Sequence, residues 1–278
     1  MDLSIVIVNW NSGSYLWQLL ESLNPLIDEV SRILVVDNGS EDSSASLPSG
    51  ISRVEVLKLH DNQGFAGAAN IGIGETDSSY VLLLNPDIMI VPETVRNLWE
   101  EMERCSRLGI GCSALFGENG ESQESFQIRS FPTVVSVIKD ALFIDEILSF
   151  FRLKKQVSSH LDRNEAHEVE QPAAAFWLIR REAWEQIGGF DEGFFPAWFE
   201  DVDFCRRLID AGWKIMFFPQ WRVIHRGGLS LERLEYGSFV KIYYSNLLKY
   251  WRKHHRVSLP LIWLPVQLGL AVRRVLAR

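Results

Sequence analysis

The sequence of 278 residues has little cysteine and no pattern that would bind a metal through sulfur. Its three cysteines, Cys105, Cys112 and Cys205, do not form the closely spaced pairs that zinc sites use. A small, odd number of cysteines also argues against a disulfide-stabilised secreted domain and favours a reducing compartment. We therefore expect a fold stabilised by its apolar core, since 47% of the residues are hydrophobic.

Long apolar runs and the common phosphate-binding loops are also missing. No stretch has the roughly 20 consecutive apolar residues of a membrane-spanning helix. The N-terminal MDLSIVIVNW carries an acid at position 2 and a short apolar run, so we expect a first strand there and not a secretion signal. Neither G-x-G-x-x-G nor G-x-x-x-x-G-K-[ST] occurs at a strand end, which disfavours nicotinamide-dependent oxidoreductases and P-loop enzymes.

Acidic residues are absent from the C-terminal end of the chain. Residues 241–278 contain eight Lys or Arg and no Asp or Glu, whereas the first 240 residues hold 20 basic and 36 acidic ones. An acidic body is a poor match for nucleic acid, so we expect no nucleic-acid partner. The basic tail predicts contact with an anionic membrane surface, where each basic residue contributes about 1 kcal/mol.

Residues 231–278 are expected to form a C-terminal helical segment that associates with a membrane. They combine basic residues, Trp and Tyr with an apolar stretch interrupted by Pro260 and Pro265, which is typical of a membrane boundary. This predicts a cytoplasmic protein, peripheral at the inner face of the cell membrane. The alternative is a helix that packs on the main domain or on a second copy of the chain, as in a homodimer.

Strands and helices alternate along most of the remaining sequence. Apolar runs that begin at residues 3, 31, 54 and 78 predict strands, and helix signals follow the first and the last of them. The same order returns at residues 171–225, which end in the strand-like KIMFFPQWRVIH. This alternation predicts an α/β fold with a mostly parallel central sheet flanked by helices. Residues 116–171 are less regular and look like an insertion.

Polar residues follow three of the predicted strands. In parallel α/β sheets, ligands bind beyond the carboxyl ends of the strands, so these side chains are expected to share one cleft. The residues are Asn9, Asp37-Asn38 and Asn85-Pro86-Asp87. A carboxylate beside a proline-stiffened turn suits a hard divalent cation, which could clamp a diphosphate. Taken alone, Asp87 is more often an ordinary turn residue.

The segment FFPAWFEDVDFCRR brings acids and aromatic residues together at a predicted helix start. Glu200, Asp201 and Asp203 are stabilised there by the helix dipole, and one of them could take a proton from an acceptor hydroxyl. An acidic helix cap with aromatic core neighbours is the alternative. His225 ends the last predicted strand and is a candidate metal ligand, although a lone histidine is more often structural.

Six segments occur together in one order along residues 3–230. They are SIVIVNWN, ILVVDNGSEDSS, DNQGFAGAANIGI, YVLLLNPDIMI, FWLIRREAWEQIGGFDEGFFPAWFEDVDFCRRLIDAGWKI and VIHRGGLS. In this series the chain resembles the inverting family-2 glycosyltransferases with the A-type nucleotide-sugar fold, in particular the bacterial rhamnosyltransferase-like branch. The resemblance implies a catalytic domain at residues 1–230, with a nucleotide-binding part at 1–115 and an acceptor-facing part at 116–230.

The resemblance also assigns roles to the candidate residues. Asp201 matches the catalytic base, and Glu200 beside it is a second catalytic residue that shapes the environment of the acceptor or the base. Asp87 matches the retained ligand of the family's Asp-x-Asp motif for Mg²⁺ or Mn²⁺, and His225 matches a histidine that can complete the metal shell. The nucleotide would be bound by Asn9, Asp37, Asn62, Gly64 and Asn85, the last replacing the first aspartate of that motif. Contacts to the sugar or acceptor are expected from Trp177 and Trp198.

The function implied is inverting transfer of a sugar from a nucleotide-sugar donor, most simply L-rhamnose from dTDP-rhamnose. The acceptor would be a glycan or a polyprenyl-diphosphate-linked glycan in envelope polysaccharide synthesis. Gln220-Trp221-Arg222 has the letters of the processive Q-x-x-R-W motif in the wrong order, which favours transfer of single residues. Two alternatives are another donor, such as UDP-galactofuranose or UDP-N-acetylglucosamine, and a non-catalytic sugar-nucleotide-binding protein.

Overall fold

The computed structural model describes residues 1–46, 53–144, 165–227 and 235–276. The chain divides into two compact units. The first contains the described parts of Met1–Ser130 and Asn164–Leu229, and the second contains the described parts of Phe131–Arg163 and Ser230–Arg278.

The first unit is built on β-strands. In chain order they are β1 (Leu3–Asn9), β2 (Arg32–Asp37), β3 (Val54–Lys58), β4 (Tyr80–Leu84), β5 (Ile88–Met89), β6 (Leu108–Phe116), β7 (Ile128–Arg129), β8 (His167–Glu168), β9 (Gln171–Pro172), β10 (Phe176–Arg180) and β11 (Lys214–His225). Nine of them form one sheet in the order β3-β2-β1-β4-β10-β6-β11-β5, with β8 also paired to β11. The short strands β7 and β9 form a second, two-stranded sheet.

Most strands of the large sheet run in one direction. β1 is parallel to β2 and β4, β2 is parallel to β3, and β6 is parallel to β11. β10 is antiparallel to both β4 and β6, so β6 and β11 point the same way as β1–β4. All seven residues of β1 and all five of β4 are buried, as expected for strands covered on both faces. The predicted mostly parallel sheet is confirmed.

Helices surround the sheet or form the second unit. They are α1 (Tyr15–Leu23), α2 (Gly64–Gly74), α3 (Pro92–Arg104), α4 (Glu124–Gln127), α5 (Val134–Ala141), α6 (Arg181–Ile187), α7 (Glu200–Asp210), α8 (Tyr236–His254) and α9 (Leu259–Leu276). Short 3₁₀ turns lie at Asn24–Leu26 and Arg256–Ser258. The start of α3 follows from Pro92 in its first turn, and Val95, Leu98 and Met102 recur every three or four residues to form its buried face.

The second unit contains α5, α8 and α9. The guanidinium of Arg273 in α9 donates to the carbonyl oxygens of Asp140 and Ala141 at 2.8 Å each, which caps the end of α5. Tyr244 of α8 donates to the Asp140 carboxylate at 2.7 Å. Residues 131–144 therefore lie in the same compact unit as the C-terminal helices. In the described ranges, no helix is long and apolar enough to cross a membrane.

Close approach of α9 to α5 depends on Gly269. A Cβ added there would collide with the carbonyl oxygen of Ala141, which is backbone and cannot rotate away. We expect Gly269→Ala to lower the free energy of unfolding of the second unit by about 1–3 kcal/mol. Urea denaturation followed by hydrogen exchange in α5 measures this. Gly237→Ala is the matched control, because its Cβ meets nothing within 4 Å; an equal loss in both variants would contradict the packing argument.

Candidate active site

The ends of β1 and β2 hold a buried polar cluster. Asn9 and Asp37 are paired across the two strands, and the Asn9 amide donates to the Asp37 carboxylate at 3.1 Å and to the Ser44 hydroxyl at 2.9 Å. Asn9 is 0% exposed, and its amide orients the Asp37 carboxylate. A direct contact between Asn9 and the nucleotide stays a prediction.

Asn62 and Gly64, which were predicted to bind the nucleotide, lie in a loop that is hydrogen-bonded to Asn38 at the end of β2. The Asn62 side-chain oxygen accepts from the Gly64 backbone N–H at 2.7 Å and from the Asn38 amide at 3.1 Å. Gly64 has a φ of +75°, and a Cβ there would lie 2.9 Å from the carbonyl oxygen of Pro196. The Phe65 N–H donates to that same oxygen at 2.8 Å. The nucleotide loop therefore contacts the segment that leads into α7.

Asp87 and His225 lie side by side because β5 pairs with the end of β11. His225 is opposite Ile88 in this pairing, and the carboxylate of Asp87 is 3.6 Å from Nε2 of His225. Both side chains are almost fully buried. The Arg226 N–H donates to the Asp87 carbonyl oxygen at 3.1 Å, which fixes the turn. Asn85, two residues earlier, is half-buried.

Gln123 determines which nitrogen of His225 faces Asp87. The Gln123 amide donates to the His225 carbonyl at 2.8 Å, and its oxygen lies 2.6 Å from Nδ1 of the ring. Since an amide oxygen only accepts, Nδ1 carries the proton and the Nε2 lone pair faces the Asp87 carboxylate. We call Asp87, His225 and Gln123 the ligand pole.

The ligand pole suits a divalent cation. Burial raises the pKa of Asp87 and lowers that of His225, and the attraction between the two groups opposes each shift. Oδ1 of Asp87 is buried and has no hydrogen-bond partner of standard geometry among the described residues. A carboxylate and a neutral imidazole nitrogen are normal ligands of Mg²⁺ or Mn²⁺. The described residues contain no cluster of three such side chains, so other ligands must complete the shell.

Asp201 lies in the first turn of α7 and is held by three donors. One carboxylate oxygen accepts from Gln171 at 2.9 Å and faces the Arg129 guanidinium at 3.5 Å. The other accepts from the Val202 N–H at 2.8 Å. We call Asp201 with Gln171 and Arg129 the base pole. Burial raises the pKa of Asp201, and Arg129 opposes this shift.

The two neighbouring acids differ from Asp201. Burial, followed by the charge of Asp201, raises the pKa of Glu200 well above its usual range, and one Glu200 oxygen is buried without a partner among the described residues. Burial and the Asp201 charge thus favour the protonated form of Glu200, whereas the Arg129 charge favours the ionised form of Asp201. Asp203 is fully buried and accepts a hydrogen bond from Arg207 at 2.7 Å, so its role is to stabilise the helix.

Aromatic residues before α7 have an unusual backbone. Trp198 and Phe199 have φ values of +72° and +74°, and such left-handed conformations cost about 1–3 kcal/mol each for residues other than glycine. Strain of this kind concentrates at functional sites. Trp198 is half-buried, so a contact to sugar or acceptor stays a prediction. Trp177 is fully buried and stacks on Phe190 in the core, and its contact to sugar or acceptor also stays a prediction.

The two poles are joined by consecutive side-chain contacts. The Phe126 ring stacks on His225 with a centroid distance of 5.9 Å and an interplanar angle of 13°. The Arg129 guanidinium lies 5.8 Å from the centre of the Phe126 ring and 3.5 Å from Asp201. The ligand pole and the base pole therefore belong to one continuous cluster.

Four residues of this cluster were not predicted. They are Gln123, Phe126, Arg129 and Gln171, all within or at the end of the stretch treated as an irregular insertion. Their only signal in the sequence is a group of polar and aromatic residues without periodicity.

Comparison with known proteins identifies the family of the chain. Residues 4–188 match the family profile described as Glycosyl transferase family 2. The chain is 26% identical over 249 residues to the N-acetylglucosaminyl-diphospho-decaprenol L-rhamnosyltransferase of Mycobacterium tuberculosis, covering 83% of this chain and 78% of that protein. It is also 26% identical to the Escherichia coli rhamnosyltransferase WbbL, covering 80% and 82% of the two chains.

A solved structure shows the same fold. The crystal structure of GalNAc-T7 with UDP, GalNAc and Mn²⁺ superposes with a TM-score of 0.63 at 16% identity. The match covers 90% of this chain and 47% of that one, so the chain spans about half the length of that protein.

Proposed function

The chain belongs to glycosyl transferase family 2 and is a glycosyltransferase, and from this premise we propose that it transfers L-rhamnose from dTDP-rhamnose with inversion. The acceptor is a glycan or a polyprenyl-diphosphate-linked glycan of an envelope polysaccharide. The observation that supports the proposal is the chain of contacts from Asp87 and His225 through Phe126 and Arg129 to Asp201, which joins the ligand pole and the base pole in one cluster. The names of the two relatives support rhamnose as the sugar.

An inverting transfer needs a leaving group and a base on opposite sides of the sugar. Asp201 accepts the proton of the acceptor hydroxyl while that oxygen forms a bond to C1 of the sugar. The bond from C1 to the diphosphate breaks, and its electron pair leaves with the diphosphate on the side of Asp87 and His225. A divalent cation bound by these two residues supplies Lewis-acid stabilisation of the charge on the departing diphosphate.

Neighbouring residues keep Asp201 ready to accept that proton. Arg129 and Gln171 stabilise its ionised form, since both donate toward the same carboxylate oxygen. Burial favours the protonated form of Glu200, in which no second negative charge repels the Asp201 carboxylate. Asp37 would bind the nucleoside, with Asn62, Gly64 and Asn85 nearby.

A donor panel tests the proposal. Purified protein is incubated with Mn²⁺, a lipid-linked disaccharide acceptor and one of dTDP-rhamnose, UDP-galactofuranose or UDP-N-acetylglucosamine, and released nucleotide is measured. We expect turnover with dTDP-rhamnose, addition of a single sugar, and a product whose anomeric configuration by NMR is opposite to that of the donor. If turnover occurs with a UDP-sugar and not with dTDP-rhamnose, the donor assignment is wrong. If the nucleotide sugars bind but none is turned over, the non-catalytic alternative is favoured.

The second unit is proposed to bind the inner face of the cell membrane. Leu261, Leu264, Leu268 and Val272 recur every three or four residues along α9 and are 47–60% exposed. The opposite face of α9 is buried against α5 within the unit. All charged side chains of residues 241–278 are basic, and this charge complements anionic lipid and disfavours contact with an identical copy.

We expect the protein to sediment with vesicles containing anionic phosphatidylglycerol and not with neutral phosphatidylcholine vesicles. Leu264→Asp with Leu268→Asp should reduce the bound fraction at least tenfold, because two negative charges then lie on the face that would enter the lipid. Val135→Asp, at another exposed apolar position of the same unit, is the control and should bind normally. If the double variant instead dissociates a dimer without changing vesicle binding, α9 is a homodimer interface.

A further inference from the structure

Phe126 is a half-exposed aromatic side chain held in place from both ends of its short helix. At one end Gln123 bonds to the backbone and ring of His225. At the other end the buried Gln127 accepts from the Leu115 N–H at 3.0 Å and donates to the Ser113 carbonyl at 2.6 Å. Phe126 itself is 50% exposed. A rigid aromatic ring that remains in contact with solvent is typical of a ligand-binding surface.

The position of Phe126 between the two poles indicates which ligand it meets. Its ring stacks on His225 of the ligand pole and neighbours Arg129 of the base pole. In an inverting transfer the sugar lies between the leaving diphosphate and the base. The exposed half of the Phe126 ring is therefore beside the place where the proposed function expects the transferred sugar.

We infer that Phe126 forms the wall against which the transferred sugar lies and that it selects sugars lacking a hydroxyl at C6. The inference rests on the proposed function, because it places the donor sugar between the poles. A phenyl ring gives apolar contact to the C6 methyl group of a 6-deoxyhexose but offers no hydrogen bond to a C6 hydroxyl. One small group added to or removed from the substrate in an apolar pocket changes kcat/KM by about 10- to 200-fold.

The alternative is that Phe126 acts only by packing on His225. In that case its loss would weaken the ligand pole and affect every donor and the bare nucleotide equally. The two roles are therefore separated by comparing ligands that differ only in the sugar.

The test uses dTDP, dTDP-L-rhamnose and dTDP-L-mannose, which differs from the rhamnose donor by one C6 hydroxyl. Kd is measured by calorimetry with Mn²⁺, and kcat/KM by nucleotide release, for the full-length wild type, Phe126→Leu and Phe126→Ala. We expect Phe126→Ala to weaken dTDP-rhamnose binding about tenfold, to leave Kd for dTDP within twofold, and to reduce the preference for rhamnose over mannose at least tenfold. Phe126→Leu, which keeps apolar bulk against His225, should be intermediate.

Tyr236→Ala removes another exposed aromatic ring, outside the site, and should change none of these ratios. An unchanged rhamnose preference in Phe126→Ala overturns the inference, and so does an equal loss for all three ligands. Failure of the proposed function is seen separately, in the wild type. If the wild type binds dTDP but neither dTDP-sugar, the donor assignment and the inference are both wrong.

Discussion

Replacing Asp201 with asparagine is expected to lower kcat by roughly 100- to 10,000-fold, the usual contribution of a general base. The amide has the same shape and still accepts the hydrogen bond from Gln171, but it cannot take a proton from the acceptor hydroxyl. Donor binding should persist, with Kd for dTDP-rhamnose within about threefold of the wild type. Single-turnover kinetics and calorimetry separate the two effects.

Glu200→Gln is the matched control for this prediction. The raised pKa of Glu200 favours its protonated form, which an isosteric amide resembles, so this variant should keep kcat within about tenfold of the wild type. If Glu200→Gln is inactive and Asp201→Asn is active, Glu200 is the base and Asp201 is not. Near-normal rates in both variants would mean that neither acid is the base.

The pH dependence of the wild type should report the same group. Burial raises the pKa of Asp201, so kcat/KM should decline with falling pH already above the ordinary aspartate range of about 4. The base works only when ionised, so a raised pKa moves the acid limb to higher pH. Arg129→Gln removes the positive charge that opposes the shift and should move the limb higher still. If the acid limb of the kcat/KM profile does not move in Arg129→Gln, the charge of Arg129 does not act on the group that titrates.

Replacing Asp87 with asparagine is expected to reduce kcat/KM by about 100-fold and to raise the Mn²⁺ concentration needed for half-maximal activity by at least tenfold. The variant removes a full negative charge from a ligand pair that supplies only two side chains. Manganese binding in the presence of dTDP, followed by electron paramagnetic resonance, gives a readout independent of turnover. EDTA should abolish activity, and added Mn²⁺ or Mg²⁺ should restore it.

Gln123→Leu extends this test to the residue that orients His225. Losing a hydrogen-bond partner of a ligand typically weakens metal affinity by about 10- to 100-fold. Asp210→Asn, in an exposed ion pair with Arg206, is the control and should leave metal affinity unchanged. If Asp87→Asn binds Mn²⁺ as the wild type does, the ligand pole is not a metal site.

The sequence predicted those parts of the fold whose local pattern is unambiguous. The apolar run of β1 forms a strand within one residue of the expected bounds, because burial on both faces leaves little choice of periodicity. The strand KIMFFPQWRVIH has the expected bounds. Asp37, Asp87 and Asp201 lie at strand and helix ends, where polar residues interrupt apolar ones. These positions could be found from local pattern alone.

The parts that the sequence did not reveal depend on long-range pairing. Gln171 reaches Asp201, and Arg129 does the same, because the two-residue strands β7 and β9 pair with each other. Strands this short carry no periodic signal. Likewise, the tryptophan of FWLIRR could not be assigned to core or surface, since an aromatic residue suits both the sheet and a sugar site. The structure assigns Trp177 to the core.

The helical turn Glu124–Gln127 follows directly after Gln123, which orients His225, and it carries Phe126, whose ring lies beside the expected place of the sugar. A change in the length or tilt of this turn therefore shifts both Gln123 and Phe126 relative to His225. A lineage that exchanged one sugar for another by remodelling the turn would thus alter its cation requirement at the same time. Engineering a new donor is better begun by changing the Phe126 side chain alone, with the backbone of the turn left as it is.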